Sequence, residues 1–260
     1  MIIDFHNHIF PEIVREKAIK NMEEGYNLAN FQDGSVDTLL EIDRQAGITT
    51  AVVLGVATCP RQVTDVNNYI IKEVKAHQEL VGFGSVHPNY DKNIEEIERI
   101  TAEGLKGIKL HPDMQEFMLD AEEMDEVYRY LSEKKIPLII HCGDISRDND
   151  SPERVAAFLD KYPNITLIAA HFGGWLLFDR AYDALKDKKC YVDCSSSQMF
   201  LGDRHTRELI RMYGADRVVY GSDFPVWNPV KCLEKFYGLE LTEEENRKIL
   251  YQNAAEILHM

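Results

Sequence analysis

Short runs of Ile, Val and Leu recur along the chain, each followed by a polar loop and then an amphipathic stretch. The runs are Ile2–Ile9, Ile48–Val56, Leu80–His87, Leu105–His111, Ile136–Cys142, Ile165–Phe172, Cys190–Ser195 and Arg217–Ser222. Their length and composition predict strands. Near-continuous apolar strands alternating with helices predict a parallel sheet covered by helices. Eight such units favour a closed (β/α)8 TIM barrel over an open doubly wound sheet.

The intervening helices have readable ends. Ser35 precedes Val36, Leu39, Leu40 and Ala46 at helical spacing, and Gly47 stops that run. Ser151-Pro152 places an N-cap before a proline at the first helical position, with Val155, Phe158 and Leu159 as the buried stripe. Thr242 and Glu245 form a capping box for a final helix running through Ile249, Leu250 and Ile257. The first unit is longer than the others, and its surplus, Phe10–Asp33, is expected to form a helical flap over the barrel mouth.

A length of 260 residues suits one such barrel, and no linker or low-complexity segment divides it, so residues 1–260 are read as a single domain. With 29 Lys+Arg against 44 Asp+Glu the net charge is −15, which argues against nucleic acid or an anionic membrane as partner. No apolar stretch approaches the roughly 20 residues of a membrane span. The start, MIIDFHNH, lacks the basic and apolar regions of a signal peptide, so a cytoplasmic protein is expected. Cys59, Cys142, Cys190, Cys194 and Cys232 are odd in number and lack framework spacing. Cys190 and Cys194, taken on one strand, would be ~13 Å apart, too far for a disulfide. Free thiols are expected.

The polar residues fall where such a barrel places its chemistry, at the C-terminal ends of the strands. Six of the nine histidines, His6, His8, His87, His111, His141 and His171, end predicted strands, and Asp223 ends the eighth. Residues two apart on a strand share a face. His6 and His8 can therefore both lean toward one ion, whereas Ile3 and Phe5 would pack outward against helices. Imidazole nitrogen and carboxylate oxygen suit zinc and similar divalent ions. A third histidine, from strand 5, and Asp223, from a strand adjacent to the first after closure, would complete a site. A single His-x-His is a weak signal; together with two further strand-end histidines and a Gly-Ser-Asp on one rim it is not. His87 and His111 precede prolines, which favours structural or rim roles.

The segments IIDFHNHIFP, LVGFGSVHP, LKGIKLHPDMQEF, IPLIIHCGD, ITLIAAHFGG, VVYGSDFP and ILYQNAAEIL together resemble the amidohydrolase superfamily, in its amidohydrolase-related branch of metal-dependent hydrolases and decarboxylases. The resemblance covers essentially the whole chain and is specific to the superfamily, not to a substrate. It implies that His6, His8, His141 and Asp223 hold a divalent metal, Zn2+ first, with Mn2+ or Fe2+ as alternatives. It implies that His171 is an acid/base group or a ligand to a second ion. In some relatives a fourth-strand lysine is carbamylated and bridges two ions; for Lys109 a substrate-carboxylate contact or a structural ion pair is preferred, because His111 shares its parity nearer the mouth.

A divalent ion that acidifies its bound water points to hydrolysis of a C–O or C–N bond, in a lactone or amide of a small carboxylated substrate. Asp223 would take the proton and His171 would polarise the carbonyl. The alternative is metal-dependent decarboxylation of an aromatic or unsaturated acid; a metal-free lactonase or a non-catalytic binding barrel comes third. Substrate contacts are sought in the loops: Arg61, Lys109, His111 and Trp175 first, then Phe10, Tyr26, Phe31, Asp144, Arg147, Phe224 and Trp227. A solvated surface position is the commoner fate of Arg61 and Arg147. The expected partner is a small-molecule substrate, and a homodimer that helps close the pocket is a further expectation.

Overall fold

A computed structural model describes residues 1–260. Eight parallel strands follow one another in sequence order: β1 (Ile3–Asn7), β2 (Thr50–Leu54), β3 (Leu80–Ser85), β4 (Gly107–Leu110), β5 (Leu138–Ile140), β6 (Leu167–Ala169), β7 (Tyr191–Asp193) and β8 (Val218–Val219). The last strand meets the first through Phe5 N–H donating to Tyr220 O (2.8 Å), Asp223 N–H donating to His6 O (2.9 Å) and a parallel bridge between Asn7 and Phe224. The fold is a (β/α)8 barrel, as the eight apolar runs predict. Each strand lies within its expected run, but the ladders stop short of the apolar ends. His141, His171 and Asp223 lie just past the named strands, held at the barrel mouth by His141 N–H donating to Leu110 O (3.0 Å), His171 N–H donating to Asp193 Oδ1 (3.0 Å) and Asp223 N–H donating to His6 O.

The helices are α1 (Glu12–Tyr26), α2 (Val36–Ala46), α3 (Val63–Ala76), α4 (Asn93–Ala102), α5 (Asp125–Lys134), α6 (Pro152–Lys161), α7 (Phe178–Leu185), α8 (Gln198–Tyr213), α9 (Pro229–Tyr237), α10 (Glu243–Arg247) and α11 (Asn253–Leu258). Ser35 caps α2 through Thr38 N–H, and Gly47 ends it in the left-handed region. The Thr242–Glu245 capping box is present at α10. One expectation needs correction. Ser151 precedes α6, but its side chain makes no capping bond to the helix, leaving Pro152 as the start signal. The final helix runs through Ile249, Leu250 and Ile257 as expected, with a π-helical turn at Lys248–Gln252 between α10 and α11.

The barrel interior also differs from expectation. Ile3 and Phe5 do not pack outward. They join Val52, Leu54, Phe83, Ile139, Ile168 and Val219, drawn from five other strands, in a cluster separate from the one formed with the surrounding helices. The reason is a register shift in β1 between Asp4 and Asn7. Such an irregularity breaks the two-residue alternation. It lets Phe5 fill the interior while His6 and His8 also reach the barrel axis one layer higher. Ala254, Ala255, Ile257 and Leu258 of α11 join the same cluster, so the C-terminal helix closes the opposite end of the barrel.

The surplus of the first unit does form a helical flap. Helix α1 has no buried residue. Its segment is tied down at the ends, by Phe10 N–H donating to Gly34 O (2.9 Å) and Gln32 N–H donating to Pro225 O (2.8 Å). Cys190 and Cys194 flank β7, and all five cysteines are free thiols.

Candidate metal centre

The C-terminal rim gathers His6, His8, Lys109, His111, His141, His171, Asp193 and Asp223, all buried. Backbone conformation helps to aim them. His171 and Asp223 adopt positive φ angles of 57° and 64°, in the left-handed region that non-glycine residues enter uncommonly. Gly221 brings the end of β8 against β1: a Cβ there would lie 2.8 Å from His6 Cβ and 3.1 Å from Ser195 Cβ.

His6 and His8 present matched faces. His6 Nδ1 is 2.8 Å from Asp193 Oδ2, an acceptor only, so the proton sits on Nδ1. His8 Nδ1 donates to Leu54 O at 3.1 Å. Both Nε2 atoms are therefore lone pairs, and they face each other at 3.2 Å. Asp223 Oδ1 stands 3.5 Å from His6 Nε2. Burial alone would raise the Asp223 pKa, but His6, His171, His8 and a Ser196 hydroxyl donating to Oδ2 outweigh it and hold the carboxylate ionised. Trp227 Nε1 donates to Ser196 Oγ at 2.8 Å and fixes that hydroxyl.

This donor set fits a divalent cation. Two lone pairs and an anion facing one another repel unless a positive charge stands between them. Nitrogens 2.0–2.1 Å from a tetrahedral ion lie about 3.3 Å apart, close to the spacing found here. Burial, followed by the proximity of His6 and Lys109, holds His8 well below its usual pKa, keeping it neutral as a ligand must be.

His141 stands outside this trio. Its Nδ1 is 3.2 Å from His171 Nε2, and its Nε2 is 3.2 Å from Gly143 O. The resemblance implies His141 as a fourth ligand; in this arrangement it instead orients His171. His171 lies beside the trio, its ring stacked on His6 at 5.0 Å and its Nδ1 2.9 Å from Ser195 Oγ. Burial pulls its pKa down to about 4.

His111, His141 and Asp150 form a second close group. The two rings stack at 3.9 Å with planes only 9° apart. A metal must lie near the plane of each imidazole that binds it, and nearly parallel planes share no such point. The pair cannot chelate one ion in this arrangement.

Lys109 is fully buried on the inner face of β4, its Nζ 3.4 Å from His6 Nε2, long for a hydrogen bond. It makes no ion pair of the kind expected; burial lowers its pKa, opposed by Asp193 and Asp223. Trp175 is buried beside the flap, its ring edge-on to Tyr26 at 5.3 Å. Arg61 is exposed and the structure does not bring it to the site. Arg147 is also exposed and donates to Asp113 O at 3.0 Å. His87 serves its own loop, accepting from Asn89 N–H at 3.2 Å.

One contributor escapes the sequence reading. Asp193 ends β7 inside YVDCSSS, but one aspartate among 44 acidic residues carries no motif. Tyr26, one of the flap residues expected to face substrate, reaches His111 Nε2 at 2.8 Å.

Comparisons agree with this architecture. An uncharacterised TIM-barrel protein from Bordetella bronchiseptica superposes with a TM-score of 0.81 at 20% identity, covering 99% of this chain and 98% of that one. A dihydroxybenzoic acid decarboxylase from Polaromonas sp. JS666, solved with manganese and the inhibitor 2-nitroresorcinol, gives 0.75 at 15% identity, covering 99% and 96%. A Pseudomonas putida protein provisionally named a 2-pyrone-4,6-dicarboxylic acid hydrolase gives 0.73 at 17% identity, covering 99% and 97%. No curated protein matches the sequence. The family model described as Amidohydrolase matches residues 3–260, and the chain belongs to that family.

Proposed function

We propose that this chain is a metal-dependent hydrolase of a C–O or C–N bond in a small acidic substrate, with His6, His8 and Asp223 holding one divalent cation and His141 in reserve as a fourth ligand. The observation that carries this reading is the approach of two imidazole lone pairs to 3.2 Å, with Asp223 Oδ1 at 3.5 Å from His6 Nε2. Zn2+ is the first candidate, with Mn2+ and Fe2+ suited to the same donors. Such an ion supplies Lewis acidity toward a carbonyl and acidifies water at neutral pH.

The chain's own residues supply the rest. Asp223, held ionised, is the base that accepts a proton from the attacking water and returns it to the leaving group. His171 is neutral, so it polarises a carbonyl only as a hydrogen-bond donor, not as a cation, and does so by turning its N–H from His141 Nδ1 to the substrate. Asp193 holds His6 from behind, and the flap limits access of bulk water.

A second reading, decarboxylation of an aromatic or unsaturated acid, has its own supporting observation. Tyr26, Trp175, Phe200 and Trp227 form a row of edge-to-face contacts at 5.3, 5.8 and 6.2 Å beside the site. Such a wall suits a planar substrate. One experiment separates the readings. Protein purified without chelators is analysed for metal and screened against small lactones, amides and unsaturated acids in heavy-oxygen water. Label in the product supports hydrolysis, and CO2 release without label supports decarboxylation. Activity with less than ~0.2 equivalents of metal would remove both.

A further inference from the structure

We propose that Tyr26 is the flap residue that contacts the substrate, donating its phenolic proton to an anionic oxygen of a small planar acid seated beside His111. The inference rests on the acidic-substrate reading above and adds the residue that recognises the charge.

Met114 N–H donates to His111 Nδ1 at 3.4 Å, so the neutral imidazole carries its proton on Nε2. That Nε2 lies 2.8 Å from Tyr26 Oη, which therefore accepts. The phenolic proton is left without a partner in the protein. Burial, reinforced by Asp223, Asp113 and Asp150, pushes the Tyr26 pKa well up, so the proton stays on the oxygen.

Position points the same way. The Tyr26 ring lies 6.4 Å from that of His141 and edge-on to Trp175, so one side chain spans the ends of β4, β5 and β6. The rest of α1 buries nothing, and Asn27, at φ 52°, turns the chain back immediately after Tyr26. The flap thus presents one spare donor to the site, beside an aromatic wall. Of the guanidinium candidates for an anion, Arg61 is exposed and Arg147 is exposed and bonded to Asp113 O.

The test uses benzoate as the anionic probe and benzamide as its neutral counterpart, titrated calorimetrically into zinc-loaded wild type and Tyr26→Phe. Loss of one charge-assisted hydrogen bond predicts benzoate binding weakened about tenfold, with benzamide binding unchanged. Equal benzoate affinities in the two proteins, parallel loss of both ligands, or no benzoate binding to wild type would each overturn the proposal. Metal content measured on the same samples reports separately on the metal site: a wild type that takes up no zinc defeats that site, while the benzoate comparison still decides Tyr26. Tyr26→Phe keeps the edge contact to Trp175 and alters a helix without buried residues, so folding is not at stake.

Discussion

His6 and Asp193 lie 187 residues apart in sequence, yet their side chains meet at 2.8 Å in the closed interior of the barrel. Asp193 uses both oxygens as acceptors: Oδ2 takes His6 Nδ1–H, and Oδ1 takes the backbone N–H groups of His171 and Ser195, each at 3.0 Å. Burial alone would raise its pKa, but His6, with its hydrogen bond, and His171 outweigh it and hold the carboxyl far below the usual range.

That division of labour makes Asp193→Asn informative. An amide has one accepting oxygen and one donating nitrogen, so it cannot satisfy both groups of donors in either orientation. His6 would lose its fixed tautomer or the turn after β6 would lose its anchor. Outer-shell losses of this kind typically weaken metal binding by about 10- to 100-fold. Competition for Zn2+ against a chromophoric chelator, on variant protein of wild-type circular dichroism, measures it. Unchanged affinity would show that Asp193 does not orient His6.

Gly221 makes a second prediction by contact alone. A methyl group there meets His6 Cβ at 2.8 Å and Ser195 Cβ at 3.1 Å, atoms fixed to backbone that cannot swing aside. Gly221→Ala should cost about 1–3 kcal/mol of stability by overpacking and also displace His6, reducing zinc uptake. Gly25, within α1, meets nothing within 4 Å. Gly25→Ala should stabilise by about 0.5–1 kcal/mol through helix propensity, with zinc binding intact. Urea denaturation and metal analysis of both variants give the comparison; equal behaviour would remove the steric argument.

Much of this molecule was legible from the chain because barrel strands are apolar on both faces and end in chemistry. The runs from Ile2 to Ser222 predicted all eight strands, and strand-end position marked His6, His8 and Asp223. What was not legible depends on one-residue geometry. Strict alternation sent Phe5 outward, because nothing in IDFHN announces the register shift between Asp4 and Asn7. Strand-end position placed His141 on the same rim, but its contact with His171 at 3.2 Å depends on a side-chain rotamer, invisible in sequence. Asp193 needed the barrel closed before its partner could be known.

Behind β1, Asp4 and Asp43 form a buried carboxyl pair with a testable pH signature. Asp4 Oδ1 accepts from Ser222 N–H at 2.9 Å, while Asp4 Oδ2 and Asp43 Oδ1 have no partner. Burial, and for Asp43 the neighbouring Asp4 charge, raises the pKa of each, that of Asp43 to about 8. Between the ordinary carboxyl range and that value the folded state binds more protons than the unfolded chain. Stability from this pair is therefore complete below about pH 4 and is lost as pH rises toward 8, by at most about 1.4 kcal/mol per pH unit for one proton. Asp43→Asn removes the titrating group. Its stability relative to wild type should rise between pH 5 and pH 8.5 in urea titrations; a difference independent of pH would mean that the pair holds no extra proton.

The interior layer offers a coupling with a definite sign. Phe83 fills the barrel axis, its ring 5.6 Å from that of Phe5 and edge-on to it. Gly107, paired with Phe83 across β3 and β4, is where that ring lies: an added Cβ would stand 2.3 Å from it. Gly107→Ala in the wild-type background should thus cost about 1–3 kcal/mol, although alanine by itself is easier to order than glycine. Phe83→Ala should cost about 3–5 kcal/mol by opening a cavity. With the ring gone, the new methyl enters that cavity instead of striking an atom, so Gly107→Ala becomes neutral or stabilising in the Phe83→Ala background. The double-mutant cycle should give a favourable coupling of at least about 1 kcal/mol, outside the roughly 0.5 kcal/mol scatter of independent sites. Additive costs would mean that Phe83 does not occupy the space that glycine leaves.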